Sequence, residues 1–249
     1  MHERSKQLRT RGQRAIAVVM LLAVLTGCGG GGLSESPTPP SSAPPSSTPD
    51  ATTTPFPESE EPVAVEPGTY PVPSSEWSVA DFTVTFPEGW TVQYGHVYSK
   101  HPDTDAEFGF YPVVVDGIYA DACEGEAGEV RQFGASVDDL AQALLEQAGP
   151  SASRPVDATL GGHPAVRIDL TVPKGLDLKA CSLGDIGLQI WYSVPADKYF
   201  VLLPYGVASV YIVDVGGQRQ VFLTQHGSGT SSADLREMRT ILDSIEIEA

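Results

Sequence analysis

The order of apolar and polar positions divides the chain into three stretches. Residues 15–25 are continuously apolar, residues 29–62 consist mostly of Gly, Ser, Thr and Pro, and apolar and aromatic residues return from Val63 onward. In the third stretch the apolar positions recur with a period near two or near 3.6, the periods of strands and helices. The sequence therefore predicts one folded domain over residues 63–249.

Two segments of this domain have helical periodicity. Ser136 is a suitable N-cap for the first, which we expect to span residues 136–148 and to end before Gly149-Pro150. The second begins at Ser231 or Ser232. Each segment has one apolar stripe, at positions 137, 140, 141, 144, 145 and 148 in the first and 235, 238, 242 and 245 in the second. Both therefore predict amphipathic helices.

Strand patterns are more numerous than helical ones. Apolar and polar residues alternate over 166–172, and Gly216-Gly217 is typical of a two-residue hairpin turn. The predicted strands cover residues 82–86, 91–99, 107–115, 166–172, 188–194, 199–203, 207–215 and 218–225, with a short one in 245–248. Because most connections are hairpin-like, the predicted fold class is α+β, an antiparallel sheet flanked by two helices.

The N-terminal apolar run has the features of a secretion signal. Five basic residues precede it, against the single acidic residue Glu3. Its eleven residues are too few to span a bilayer, which takes about 20, but suit the apolar region of a signal peptide. The run ends in Leu25-Thr26-Gly27-Cys28. A signal that ends in Leu-x-Gly-Cys resembles the bacterial lipoprotein signal.

That resemblance implies a membrane anchor. In the family the segment before the cysteine, here residues 1–27, is removed, and the thiol, here that of Cys28, receives a diacylglyceryl group. We therefore expect an extracytoplasmic protein held at the outer face of the cell membrane by lipidated Cys28, since two acyl chains suffice for stable anchoring. The alternatives are a plain secretion signal with an incidental Cys28, or an uncleaved membrane anchor, which the short run disfavours.

Residues 28–62 are expected to form a disordered tether. They contain almost no apolar side chain able to pack, so burial cannot offset the entropy cost of ordering them. A Pro-rich chain extends by about 3.1 Å per residue, which gives a reach on the order of 100 Å. We therefore expect the folded domain to stand away from the membrane, within the cell wall.

The charge of the chain argues against a nucleic-acid partner. The formal net charge is −17; five of the 15 basic residues but only one of the 32 acidic residues precede Cys28, so the expected mature chain carries −21. An acidic body repels phosphate backbones and anionic lipid headgroups. The lipid anchor is therefore the expected membrane contact.

Two cysteines remain besides Cys28. Cys123 and Cys181 form an even pair in an oxidising compartment, which predicts a disulfide. A redox pair or a set of metal thiolates is the alternative. The chain has no Cys-x-x-Cys spacing and no His adjacent to these cysteines, which disfavours both.

Two short motifs carry a family resemblance. Phe82-Thr83-Val84-Thr85-Phe86-Pro87-Glu88-Gly89-Trp90 resembles the opening of the α/β/α sandwich of the photosystem II extrinsic PsbP family and its bacterial relatives, and Ile241-Leu242-Asp243-Ser244-Ile245 is similar to its end. The whole chain also resembles uncharacterised actinobacterial lipoproteins. The resemblance implies a PsbP-like sandwich that binds or assists assembly, and it carries over no site residue. The two cysteines are not part of the PsbP pattern.

One group of ionisable residues invites a metal hypothesis. Residues 103–107 are similar to the start of a calcium loop, but Phe108 takes the sixth position, where Gly is required, and Val114 the twelfth, where Glu is required. We therefore expect no metal and no cofactor. We interpret the segment with His96, His101, Asp103, Asp105 and Glu107 as a solvated loop. A second acidic segment, around Cys123, is interpreted in the same way and contains Asp121, Glu124, Glu126 and Glu129.

No catalytic residue is predicted. Gly227-Ser228-Gly229 lacks the glycine two positions before Ser that a nucleophile elbow requires, and the neighbouring His226 has no identifiable acid partner. The aromatic residues Trp90, Tyr111, Trp191 and Tyr205 are candidates for a ligand groove, with core packing as the alternative.

The sequence favours a non-catalytic envelope module that binds an envelope protein, a glycan or a small ligand. One alternative is an envelope hydrolase with a site around His226 or His96. Another is the solute-binding lipoprotein of a transporter, for which the domain is small and lacks regular alternation of strands and helices.

Overall fold

The computed structural model describes residues 56–193 and 198–248, and the side chain of Lys198 lies outside the described part. Within these residues the chain forms antiparallel sheets and two α-helices, which confirms the predicted α+β class. In chain order the strands are β1 Val63–Ala64, β2 Gly68–Val72, β3 Phe82–Phe86, β4 Thr91–Gln93, β5 Val97–Lys100, β6 Phe108–Val113, β7 Gly117–Tyr119, β8 Val130–Arg131, β9 Ser151–Ala152, β10 Val156–Leu160, β11 His163–Thr171, β12 Leu188–Ser193, β13 Lys198–Leu202, β14 Val207–Val215, β15 Gln218–His226 and β16 Glu246–Ile247.

These strands form three sheets in the described part of the chain. The central sheet has the order β1-β4-β5-β6-β15-β14-β11-β10, with β9 also paired to β11. The cap sheet has the order β13-β12-β7-β8, and the small sheet the order β16-β3-β2. The predicted C-terminal strand is therefore present as β16, which pairs antiparallel with the start of β3.

The two helices begin where their capping residues predict. Helix α1 spans Val137–Glu146 and helix α2 spans Ser232–Asp243. The N-caps are Ser136 and Ser231, and each forms a reciprocal capping box with the aspartate three positions later. Short 3-10 helices lie at Gly125–Ala127, Leu178–Ala180 and Gly184–Ile186.

The central sheet is buried on both faces. Successive residues of a strand point to opposite faces, and on β15 the neighbours Phe222 and Leu223 belong to different cores. Phe222 packs with the small sheet and α2, with its ring centroid 5.2 Å from that of Phe82. Leu223 packs with the cap sheet and α1. The cap-sheet side of the central sheet is the side that carries the site described below.

One predicted strand, 91–99, is wrong. The structure has two short strands there, β4 and β5, which pair antiparallel with each other. Tyr94 and Gly95 form the turn between them with φ values of 53° and 71°. Apolar alternation continues through this turn in the sequence, so the pattern alone gives no sign of the reversal.

Phe56, the first described residue, already contacts a core. Its ring centroid lies 5.1 Å from that of Tyr70, 5.1 Å from that of Tyr98 and 6.1 Å from that of Phe86. The signal segment, Cys28 and residues 28–55 of the predicted tether lie outside the described residues. Those predictions therefore stay predictions.

Cys123 and Cys181 lie together as a disulfide. Their sulfur atoms are 2.06 Å apart and their Cα atoms 4.5 Å apart, across a sequence separation of 58 residues. The bond joins the segment after β7 to the segment between two 3-10 helices. Of the described helices, neither is long and apolar enough to cross a membrane.

Candidate functional site

Two neighbouring cavities share one face of the central sheet. Val97 on β5 and Tyr111 on β6 line both of them. Tyr111 pairs with Leu223 across the sheet, so its side chain points to the face that packs on the cap sheet. The cavities therefore lie beside the cap sheet, over β5 and β6.

The larger cavity, which we term the aromatic cleft, has a volume of about 610 Å³. Six aromatic side chains and three glutamates line it, together with a His, a Ser and two Val. The lining residues are Glu58, Glu60, Glu76, Trp77, Tyr94, His96, Val97, Tyr111, Val113, Trp191, Ser193, Tyr199 and Phe200.

The cap sheet supplies a stack of aromatic rings to the cleft. Trp191 and Phe200, on the paired strands β12 and β13, lie nearly parallel with centroids 4.6 Å apart. The Tyr111 ring is 6.3 Å from that of Phe200. Trp191 is 2% exposed, whereas Tyr199 is 42% and Tyr94 is 48% exposed. The cleft therefore has a rigid aromatic base and two tyrosines that are open to solvent.

Trp77 and His96 form a second stack. Their ring centroids are 3.5 Å apart with an interplanar angle of 10°, and His96 Nδ1 donates a hydrogen bond to the Tyr94 carbonyl at 2.7 Å. Burial lowers the pKa of His96 to about 4, although the hydrogen bond to Tyr94 opposes the shift. The imidazole is therefore neutral at pH 7.

A buried amide fixes the segment that carries Trp77. Gln220 on β15 is fully buried, and its Oε1 accepts from the Val79 amide at 2.7 Å and from Ser78 Oγ at 3.0 Å. Its Nε2 donates to the Val221 carbonyl at 2.8 Å. Because these groups follow Trp77 directly, the central sheet positions the indole.

Two kinds of polar group in the cleft have no partner within residues 56–193 and 198–248. Among the described residues, none of the three glutamates takes part in an ion pair. Ser193 is 4% exposed, and its Oγ has no hydrogen-bond partner in the described part of the chain. A buried hydroxyl without a partner costs about 1–3 kcal/mol, so it is a group that a ligand can satisfy.

The smaller cavity, which we term the His226 pocket, has a volume of about 360 Å³. It is lined by Val97, Ser99, Thr104, Asp105, Glu107, Gly109, Tyr111, Leu203, Pro204, Tyr205, Gly206, Gln225, His226, Gly227 and Ser228. Burial raises the pKa of Glu107, although the hydrogen bond that its carboxylate accepts from the Asp103 amide opposes the shift. Burial likewise raises the pKa of Tyr111, with a further contribution from Glu107.

The geometry of His226 and Ser228 is not that of a formed catalytic pair. His226 Nδ1 donates to the Gly227 carbonyl at 3.2 Å. No hydrogen bond between His226 and Ser228 is present among the described residues, and Ser228 is exposed. The structure brings Glu107 to the same pocket, and no sequence pattern predicts this placement.

The structure sorts the four aromatic candidates into three environments. Tyr111 and Trp191 line the aromatic cleft, and Tyr205, 86% exposed, lines the His226 pocket. The prediction that Trp90 is a candidate for a ligand groove is wrong. It is fully buried in a core, where its Nε1 donates to Glu237 Oε1 at 2.7 Å.

The ionisable residues considered for a metal are separated. His96 lies in the aromatic cleft, His101 Nε2 lies 3.8 Å from Asp234 Oδ1, and Glu107 lines the His226 pocket. Around Cys123, Asp121 Oδ1 accepts from the Cys123 amide at 2.8 Å, while the carboxylates at 124, 126 and 129 are exposed. Within residues 56–193 and 198–248, no group of three or more His, Cys, Asp or Glu is placed to hold a metal ion.

Most cleft residues carry no functional signal in the sequence. The sequence predicts no functional role for Trp77, Tyr94, Tyr199 or Ser193, and Glu58 and Glu60 lie within the predicted tether. The reason is that the cleft brings together positions from 58 to 200. Such long-range contacts leave no periodic trace in the sequence.

Comparisons with known proteins name no family. No protein-family model and no curated protein matches the chain. Among solved structures, the chain is similar to the crystal structure of LpqN, described as involved in cell envelope biogenesis of Mycobacterium tuberculosis. The TM-score is 0.37 at 12% identity, over 73% of this chain and 91% of that chain. A similarity at this level carries no argument about function, and the PsbP-like sandwich stays a prediction.

Proposed function

We propose that the protein is a lipid-anchored extracytoplasmic module that binds a small organic ligand in the aromatic cleft and does not catalyse a reaction. The observation that carries this proposal is the buried Ser193 hydroxyl, which has no partner in the described part of the chain and lies at a cavity walled by aromatic rings. A volume of about 610 Å³ suits a small molecule, and mainly apolar walls with a few polar groups are typical of ligand sites.

The anchoring part of the proposal rests on the sequence. The basic and apolar N-terminus, the Leu25-Thr26-Gly27-Cys28 motif and the Pro-rich segment after it support a lipid at Cys28. Detergent-phase partitioning of the expressed protein tests it. The wild type is expected in the detergent phase and Cys28→Ala in the aqueous phase. If Cys28→Ala stays in the detergent phase, the anchor is not at this residue.

Ligand binding is tested by thermal unfolding. The mature chain with Cys28→Ser is screened against sugars, peptides and amines, because a ligand at 100 times its Kd stabilises the folded state by about 2.7 kcal/mol. The Tm increase is expected to vanish in Trp77→Ala/Tyr199→Ala. It should persist in Tyr205→Ala, which removes an exposed tyrosine from the His226 pocket instead. A Tm increase that persists in Trp77→Ala/Tyr199→Ala and vanishes in Tyr205→Ala would place the site in the His226 pocket. If none of the compounds raises the Tm, the proposal is contradicted.

A second candidate function is hydrolysis in the His226 pocket. The observation that favours it is that Glu107, His226 and Ser228 line one cavity, the residue types of an acid, a base and a nucleophile. Covalent labelling by a serine-hydrolase probe that is lost in Ser228→Ala and His226→Ala would support the enzyme. Absence of labelling in wild type would favour the binding module.

A further inference from the structure

The charge of the aromatic cleft is one-sided. Glu58, Glu60 and Glu76 line it, and no Lys or Arg does so among the described residues. His96, the one basic group among the described lining side chains, is stacked on Trp77 and neutral at pH 7. A concave site with apolar walls and carboxylates of one sign concentrates a negative potential.

The aromatic rings also favour a positively charged ligand. The face of an aromatic ring is the negative end of its quadrupole, so a cation over the ring face is attracted. Tyr94 and Tyr199 line the cleft together with the stacked Trp191 and Phe200, and both tyrosines are exposed residues. An anion would meet repulsion from both the rings and the carboxylates.

The buried hydroxyl of Ser193 adds a polar contact. Its Oγ is buried at the cleft without a partner among the described residues, and a hydroxyl both donates and accepts. A ligand with a polar group a few bonds from its charge can satisfy it while the charged group lies among the rings.

We infer that the aromatic cleft is a site for an organic cation, an alkylated ammonium group held over the tyrosine and tryptophan rings and facing the three glutamates, with a hydroxyl or amide of the same ligand at Ser193. This inference rests on the proposed function, because it names the class of ligand that the cleft binds.

Calorimetric titration of the mature chain with Cys28→Ser tests the inference. The probes are choline and its neutral isostere 3,3-dimethylbutan-1-ol, which differ in charge at nearly constant shape. Choline is expected to bind at least about tenfold more tightly than the isostere. Glu58→Gln/Glu60→Gln/Glu76→Gln is expected to weaken choline binding by about tenfold or more. The matched control, Glu124→Gln/Glu129→Gln/Glu248→Gln, removes the same charge from exposed positions away from the cleft and should change it by less than about twofold.

The outcomes separate this inference from the proposed function. Equal binding of choline and its isostere, or equal loss in the two triple variants, would overturn the cation inference and leave a neutral ligand in the cleft. The cation inference is also overturned if choline does not bind while an uncharged ligand gives a Tm increase that depends on the cleft residues. If no compound binds in the cleft, both the inference and the proposed function are contradicted.

Discussion

His96 links the aromatic cleft to the stability of the domain. The imidazole is buried against Trp77, and burial holds its pKa at about 4 in the folded state, against 6.5 without that environment. The unfolded chain therefore binds more protons than the folded chain between pH 6.5 and pH 4. The contribution of neutral His96 is fully present above pH 6.5 and is lost as the pH falls toward 4.

The first prediction concerns this titration. The free energy of unfolding is expected to fall by about 3 kcal/mol more in the wild type than in His96→Phe between pH 6.5 and pH 4, because a pKa difference of one unit is worth about 1.4 kcal/mol. The phenylalanine keeps a ring against Trp77 and removes the titrating group. Urea unfolding of both proteins at the two pH values measures the difference. Parallel pH dependence would contradict the neutral, buried imidazole.

A second prediction separates a ligand group from a structural one. Ser193→Ala removes a hydroxyl that has no hydrogen-bond partner among the described residues, so the free energy of unfolding should change by less than about 0.5 kcal/mol or rise. Ligand affinity should fall severalfold. Gln220→Ala is the contrasting variant, since its amide bonds to Val79 and Val221 and its loss should cost about 1–3 kcal/mol. A destabilised Ser193→Ala protein with unchanged affinity would contradict the ligand contact.

The sequence points to three cleft residues, the aromatic candidates Tyr111 and Trp191 and the hydrolase candidate His96, and it misses the others for a physical reason. Tyr111 and Trp191 stood out as aromatic residues in strand patterns, a signal that core packing produces equally well. Trp90 gave the same signal and is a core residue. Only the pairing of distant strands decides which of these rings meets solvent, and single-sequence patterns do not contain that pairing.

At the scale of elements, local signals predicted best. The N-cap serines of both helices lie where predicted, because a capping box needs only four consecutive residues. The predicted end of α1 at residue 148 differs from the observed end at Glu146. Gln147 leaves the helix in an extended conformation, and its Nε2 donates to the carbonyls of Tyr119 and Ile190. That tertiary contact ends the helix before the chain reaches Gly149, the predicted helix stop.

The third prediction tests the caps. Ser136→Ala and Ser231→Ala each remove an N-cap acceptor, so each should lower the free energy of unfolding by about 1 kcal/mol. Ser136→Asn and Ser231→Asn are the controls and should lose less, because the amide keeps an oxygen acceptor and can still donate to the Asp139 or Asp234 carboxylate. Chemical denaturation measures all four. No loss in the alanine variants would mean that packing alone fixes the helix ends.

At the scale of the whole molecule, the disulfide closes a long loop. Cys123 and Cys181 are 58 positions apart, and the loop between them contains β8, α1 and the whole of β9, β10 and β11. Cross-linking restricts the unfolded chain, and on the chain-entropy relation a loop of this length stabilises the fold by about 4 kcal/mol. The pairing could be predicted because Cys28 is the expected lipid attachment site, which leaves two cysteines to pair with each other.

The fourth prediction follows from that loop. Cys123→Ala/Cys181→Ala should unfold at lower denaturant concentration, with a loss of up to about 4 kcal/mol, and adding a reductant should have no further effect on it. The wild type under reducing conditions should resemble the double variant. Thiol titration of the denatured, unreduced mature protein should find no free thiol, because lipidation converts the Cys28 thiol to a thioether. Two free thiols would contradict the disulfide.

The central claim is that the aromatic cleft binds the ligand, and the three tryptophans of the chain allow a direct test. Trp77 and Trp191 line the cleft, and Trp90 is buried in a core and serves as an internal control. In ¹⁹F NMR of the mature chain labelled with 5-fluorotryptophan and assigned with Trp→Phe variants, the best ligand of the thermal screen is predicted to shift the Trp77 and Trp191 signals and leave that of Trp90 in place. A saturating ligand that leaves Trp77 and Trp191 unchanged would contradict the claim.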